Sequence, residues 1–332
     1  NQQRGVFIIE TSNRVTVQGN LIGVGTDGST VLGGGDTLIE INQSSGALIG
    51  TDADGVDDAA EGNVIATSDS LGFPATGILL NDTYGTVVAG NRIGDASVPA
   101  SPTGLAHGVL LNGGSANNRI GGPLAVESNL FIGASSGGVV LQADAGNGNA
   151  ILGNRFVDGL RLAIDLGDDG PTANDTLDAD TGPNDLQNAP TLLGAVADGP
   201  GSYVHGVLSA APNQHYRIEF FASASGDPGS AERFLGSMNL TTGADGIMYF
   251  GASVPTGSLA EGDYVRATAT WTDATFSNFG STSELGSAVV AHPPAPPTSA
   301  DAIVTTHEDS AVVLDLSAFA FDSINGNSLV GV

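Results

Sequence analysis

The sequence predicts an all-β chain: a solenoid of short stacked strands followed by an antiparallel β-sandwich. Three observations carry that expectation. Glycine occurs 49 times in 332 residues while only 14% are charged and 5% aromatic, a composition suited to tight turns rather than to helices built on Glu, Lys and Leu. In residues 77–94, the runs Ile78-Leu-Leu80 and Thr86-Val-Val88 precede Gly90-Asn-Arg-Ile-Gly94, which reads as strand, turn, strand, turn, strand. The same grammar recurs along the N-terminal half and gives way near residue 190 to longer, separately bounded strands.

The repeat has two phased registers. Strand starts fall at Gly5, Leu38, Gly77, Gly108, Gly138 and Arg161, roughly 20 to 40 residues apart, the spacing of solenoid units. Gly19-Asn-Leu-Ile-Gly23, Gly62-Asn-Val-Ile65, Gly90-Asn-Arg-Ile-Gly94, Ser128-Asn-Leu-Phe131 and Gly153-Asn-Arg-Phe156 form the second. No unit can bury its own apolar face, whereas stacked units bury a continuous column. At ~4.8 Å per strand, about six coils make a rod of roughly 29 Å. The corner asparagines are expected to adopt the left-handed conformation and to donate their amides to the neighbouring coil.

Gly-Asn-x-Ile-Gly, together with Gly25-Thr-Asp-Gly28, Ile49-Gly-Thr-Asp-Ala-Asp-Gly55 and Asn118-Arg-Ile-Gly-Gly122, resembles the right-handed parallel β-helix repeats of large bacterial surface and secreted proteins, a fold shared with pectin and pectate lyases. The resemblance covers residues 1–188. It implies a rod that either binds glycans and partners or carries a polysaccharide lyase or glycoside hydrolase site on neighbouring coils. Glycoside hydrolysis needs two carboxyl groups roughly 5 to 9.5 Å apart. The expected column at the strand ends reads Glu10, Asn42, Asn81, Asn112, Gln142, Asp165, which puts its two acids ~24 Å apart, too far to act as a pair. No catalytic residue is assigned. Arg92, Arg119 and Arg155 each follow a corner asparagine and read as surface residues, with contact to an acidic glycan as the sharper alternative.

The net charge of -27, from 36 acidic and nine basic residues, repels nucleic acid and anionic membrane surfaces. It fits solubility in a salty or extracellular setting, or calcium loading. Without cysteine, disulfides, thiol nucleophiles and Cys-based zinc sites are excluded. No apolar run approaches the ~18 residues of a membrane-spanning helix. The chain starts and stops in mid-pattern, as expected of a segment of something longer.

Two acidic stretches are candidate calcium sites. Asp52, Asp54, Asp57 and Asp58 surround Gly55, like part of an EF-type loop without its closing Glu. Seven aspartates lie between residues 165 and 185, including Asp168, Asp169, Asp175, Asp178 and Asp180. Gly and Pro break any regular element there, so a capping loop is expected over residues 165–188. A divalent cation would relieve the mutual repulsion of these carboxylates; a solvated acidic connector is the alternative.

Strands are expected at 203–209, 216–223, 234–241, 248–254, 264–271 and 282–290, giving a sandwich over residues 189–291. Val207, Ile218, Phe220, Leu235, Val265 and Trp271 are its core candidates. The pattern resembles the immunoglobulin-like modules that follow β-helices in surface proteins. His205 and His215 fall on neighbouring expected strands, without a third ligand at metal-site spacing, and Trp271 is either core or a sugar-stacking platform. Residues 292–300 form a Pro-rich linker. Residues 301–332 resemble the start of a cadherin-like repeat, a class that often binds calcium between modules. The reading is a non-catalytic extracellular or cell-surface scaffold whose partner is a polysaccharide or cell-surface glycan, with a carbohydrate-active enzyme as the alternative.

Overall fold

The computed structural model describes residues 4–10, 15–32, 35–67, 75–94, 104–157, 161–255 and 257–294, and the backbone of 298–299 and 320–321. The N-terminal part is a parallel β-helix with three faces. Its first sheet stacks Arg4–Ile9, Thr37–Asn42, Ala75–Asn81, Leu105–Asn112, Gly137–Gln142 and Ile164–Gly167 in chain order. The second stacks Thr16–Val17, Leu48–Gly50, Val87–Ala89, Arg119–Gly121 and Ala150–Leu152, and the third Leu21–Ile22, Val64–Ile65, Arg92–Gly94, Leu130–Ile132 and Arg155–Val157. Every pairing within these sheets is parallel, so corresponding positions of successive coils stack in columns.

The interior is a set of apolar columns. Ile41, Leu80, Leu111, Leu141 and Leu166 form one; Ile49, Val88, Ile120 and Ile151 another; Ile22, Ile65, Ile93, Phe131 and Phe156 a third. Each such side chain contributes about 1.5–3 kcal/mol on full burial, and no single coil can supply that burial. Phe131 and Phe156 stack with centroids 5.0 Å apart. They have room only because the opposing strand starts are glycine: a Cβ on Gly108 would lie 2.5 Å from the Phe131 ring, and one on Gly138 equally close to that of Phe156.

Buried asparagines run along the corners. The backbone N–H and Nδ2 of Asn20 donate to Oδ1 of Asn63, and Asn63, Asn91 and Asn129 repeat the pattern onto Asn91, Asn129 and Asn154. A second ladder runs from Asn118 through Asn149 to Asn184. The expected amide donation is present, but the left-handed conformation falls on the preceding Gly19, Gly90 and Gly153. Glycine takes that strain at no steric cost, leaving each asparagine free to aim its amide along the rod.

The C-terminal part is one largely antiparallel sheet. Its order is Arg233–Thr241, His215–Ser223, Tyr264–Thr272, Val289–His292, Thr191–Val196, Tyr203–Ser209 and Ile247–Ser253, with Phe279–Thr282 beside Tyr264–Thr272. Val289–His292 pairs antiparallel to Tyr264–Thr272 and parallel to Thr191–Val196. The two halves close on a shared core in which Phe220 meets Phe250 at 5.9 Å. Ile218, Phe220, Leu235 and Val265 are buried there as expected. Two candidates are not. Val204, Gly206 and Leu208 point inward instead of Val207, because apolar residues occupy both phases of that strand and alternation alone does not choose between them. Trp271 is 38% exposed; it lies past the end of the inner column Val265, Ala267, Ala269, and its Nε1 donates to Gln214 Oε1 at 3.2 Å. The expected strand 282–290 is two strands, and Thr191–Val196 was not anticipated. The cadherin-like start at 301–332 lies outside the described residues, apart from the backbone of a two-residue strand, Ala320–Phe321, paired with Thr298–Ser299.

Replacing Asn129 by Ala removes the acceptor of the Asn91 backbone N–H and the amide that donates to the Val88 carbonyl, while Asn91 Nδ2 keeps the Ile49 and Ala89 carbonyls. At 1–3 kcal/mol for each unsatisfied buried group, urea unfolding of Asn129→Ala is expected to lose about 3 kcal/mol or more. Exposed Asn239→Ala should stay within about 0.5 kcal/mol of the parent.

Candidate functional site

The first sheet presents its outer face as columns. Asn42 pairs with Asn81 and Asn81 with Asn112. Their side chains are half-buried and bond along the rod: Asn81 Nδ2 donates to Asn42 Oδ1 at 3.1 Å, Asn112 Nδ2 to Gln142 Oε1 at 3.2 Å, and Gln142 Nε2 to Asp168 Oδ2 at 3.3 Å. These amides form a row in two bonded pieces, Asn42 with Asn81, and Asn112 with Gln142 and Asp168, with Asn112 Oδ1 left without a partner among the described residues. The row's two expected acidic ends belong elsewhere. Ile9, not Glu10, pairs with Asn42, and Glu10 turns out of the strand at φ 50°. At the other end Gly167 pairs with Gln142, and Asp165 pairs with Val140. The run Leu162-Ala-Ile-Asp-Leu166 fits its neighbours equally well in registers two residues apart, since both keep its alternation in phase.

The neighbouring column, which does hold Asp165, reads Phe7, Glu40, Leu79, Leu110, Val140, Asp165. Glu40 and Asp165 are four coil steps apart, about 19 Å at ~4.8 Å per step. Both are buried, Asp165 completely; its Oδ1 accepts from Gly170 N–H at 3.3 Å and its Oδ2 has no partner among the described residues. Burial raises the Asp165 pKa above the ordinary carboxyl value. This column supplies no acid pair within reach of a glycosidic bond.

The arginines that follow corner asparagines are engaged within the chain. Arg119 bonds Glu127 and the Gly121 carbonyl, both at 2.6 Å, Arg155 donates to the Glu232 carbonyl at 2.8 Å, and Arg92 reaches the Gly28 carbonyl at 3.4 Å. His205 and His215 are not brought together: their strands are separated in the sheet, His205 stacks on Tyr203, and His215 bonds Thr241 at 2.8 Å.

The acidic stretches separate into two compact groups. Asp52 and Asp58 come together with Glu61, which sequence reading missed, their ligand atoms within 4.8 Å of one another. Asp58 starts the single-turn helix Asp58–Glu61, which brings Glu61 back so that its carboxylate accepts from Asp52 N–H at 3.1 Å. Asp54 caps Val56 N–H, Asp57 sits in the left-handed region ahead of the helix, and neither joins the group. In the second stretch Asp175, Asp178 and Asp180 lie within the same 4.8 Å span, without Asp168 or Asp169. Asp180 Oδ1 is buried with no partner among the described residues. Burial, opposed by the Asn188 N–H and reinforced by Asp180, Asp175 and Asp185, raises the Asp178 pKa to about 6.

The end of the rod is sealed by the antiparallel sheet. Glu219 is fully buried; its Oε2 accepts from Gly153 N–H at 2.7 Å and its Oε1 from Arg217 Nε at 2.8 Å. Glu284 accepts from the N–H groups of Leu166 and Thr172, at 2.9 and 2.8 Å. Thr282 Oγ1 accepts from Ile151 N–H at 2.9 Å, its carbonyl accepts from Asn184 Nδ2, and Phe156 and Ala231 exchange two backbone bonds. Burial raises the pKa values of both glutamates above the usual range. Beside this seal lies a cleft of about 440 Å³ between the last strand of the first sheet and Tyr264–Thr272.

No family model matches the chain, and neither does any curated protein. Among solved structures, one that aligns is full-length tailspike protein 2 of Escherichia coli O157:H7 bacteriophage CAB120, at 9% identity and a TM-score of 0.21. The alignment covers 80% of this chain and 44% of the tailspike, so the chain spans less than half of that protein's length. At that score the likeness carries no argument about activity.

The raised Asp178 pKa sets a sign for pH dependence. The folded state holds this proton more tightly than the unfolded state, so the stability linked to it is present below about pH 4 and is lost as pH rises to about 6. Allowing for solvent screening at a half-buried site, the loss is about 1 kcal/mol. Chemical denaturation at successive pH values without divalent cations should show this fall, and Asp178→Asn should flatten it.

Proposed function

We propose that this chain is a non-catalytic extracellular or cell-surface scaffold that binds glycans along the outer face of its first sheet. The observation that supports this reading is the amide strip of Asn42, Asn81, Asn112 and Gln142. Amide groups both donate and accept, as sugar hydroxyls do, and a ~4.8 Å repeat offers many weak contacts to an extended polymer. The two carboxylates of the neighbouring column on that face, Glu40 and Asp165, are buried and four coils apart. No described helix is long and apolar enough to cross a membrane, and the acidic surface favours a neutral glycan over an anionic one.

Calcium belongs to the same proposal. Asp175, Asp178 and Asp180 supply clustered carboxylate oxygens of the hard kind that calcium takes, and the orphaned Asp180 Oδ1 is an open ligand position. The ion would order the loop that links the last coil to the antiparallel sheet. With about 1 mM calcium, in the range of extracellular modules, the loss of stability between pH 4 and 6 should disappear.

Incubation with a panel of neutral and acidic polysaccharides tests the whole reading. Retention is expected without release of reducing or unsaturated ends, and Asn81→Ala/Asn112→Ala should weaken it several-fold. Product that accumulates with protein dose would instead establish a carbohydrate-active enzyme.

A further inference from the structure

The cleft beside the rod's seal is walled by two different kinds of surface. Leu162 and Ile164 come from the last strand region of the first sheet, Pro228 from the turn after His215–Ser223, and Tyr264 and Arg266 from Tyr264–Thr272; Glu284 closes its floor. Arg266 is 7% exposed and Glu284 6%. Arg266 is held in place by donation to the Gly286 carbonyl at 3.1 Å and the Gly226 carbonyl at 2.8 Å, while its Nε has no partner among the described residues. Glu284 is fixed by the Leu166 and Thr172 N–H groups. A preorganised cation and carboxyl therefore share a wall with an aromatic ring, a proline and aliphatic side chains.

We infer that this cleft binds a single neutral sugar residue. The inference rests on the glycan-binding reading and deepens it by naming an end-on subsite. The volume lies in the range of small-ligand sites, which pair apolar walls with a few placed polar groups. Asp227 faces Arg266 and Asp165 faces Glu284, so the single cation of the site is offset by carboxyls and offers an anion no net attraction, and the acidic chain disfavours anions further. A pyranose matches both surfaces: its C–H face packs on Tyr264 and Pro228, and its hydroxyls accept from the guanidinium and donate to the carboxyl. Ser287 lies exposed at the edge of the cleft.

Saturation-transfer NMR with free neutral hexoses and N-acetylhexosamines tests this on the full chain, alongside polysaccharide retention. Wild type should give signal from at least one sugar. Ser287→Trp, which fills the cleft from an exposed position, and Tyr264→Ala, which removes its aromatic wall, should each reduce that signal at least tenfold while keeping the parent circular dichroism. Retention without a monosaccharide signal, or a signal that Ser287→Trp preserves, overturns the cleft and leaves the glycan-binding reading standing. Neither retention nor signal overturns both.

Discussion

A parallel β-helix has an end, and the end is its weakest point. The last coil exposes a row of backbone donors and an apolar column that no further coil covers, and either left in a non-aqueous contact without partners would be costly. In this chain the antiparallel sheet resolves that constraint with side chains. Glu219, Thr282 and Glu284 accept the N–H groups of Gly153, Ile151 and Leu166, and Asn184 extends a corner ladder one step beyond its last coil. The sequence of the strand Tyr264–Thr272 follows from this task. One face carries Val265, Ala267 and Ala269 into its own core, while Thr268, Thr270 and Thr272 are also buried on the other. Thr270 serves it directly, its Oγ1 bonding the Oγ1 of the cap Thr282 at 2.9 Å, whereas the hydroxyls of Thr268 and Thr272 have no partner among the described residues and those positions gain only β propensity.

The same constraint explains the unusual placement of acids. In a chain of net charge -27, buried carboxyls would seem the least suitable groups for a core. They serve here because a carboxyl oxygen can accept two N–H bonds from a coil edge, something no apolar side chain can do. Burial raises the pKa values of Asp165, Glu219 and Glu284 in consequence. Asp165 and Glu219 are consumed by architecture, whereas Glu284 both caps the rod and lines the cleft.

The fold was readable because repetition is a strong signal: Gly-Asn-x-Ile-Gly recurs with both the corner glycine and the ladder asparagine that the structure uses. Register was not readable at either end. Val6–Ile9 is apolar in both phases, so alternation does not choose the register there and Ile9 takes the place expected for Glu10; at the other end alternation cannot tell a strand from the same strand slid by two residues, and that slip moves Asp165 out of the amide column. Carboxylates in sequence proximity were over-counted for similar reasons. Asp54 and Asp57 lie beside Asp52 and Asp58 in the chain, yet a single helical turn chooses Glu61 as the third partner. The caps Glu219 and Glu284 carry no local motif at all, because their partners lie 66 and 118 residues away. The cleft was equally invisible, being assembled from four separate segments.

Residue-resolved amide hydrogen exchange at the junction tests the central claim, that rod and antiparallel sheet form one cooperative unit sealed by side-chain caps. The account predicts that the N–H groups of Gly153, Ile151 and Leu166 exchange with the same opening free energy as those of Leu105–Asn112 and Tyr264–Thr272. Fast exchange at these three amides while both sheets stay protected would contradict it, since the rod would then end without a seal.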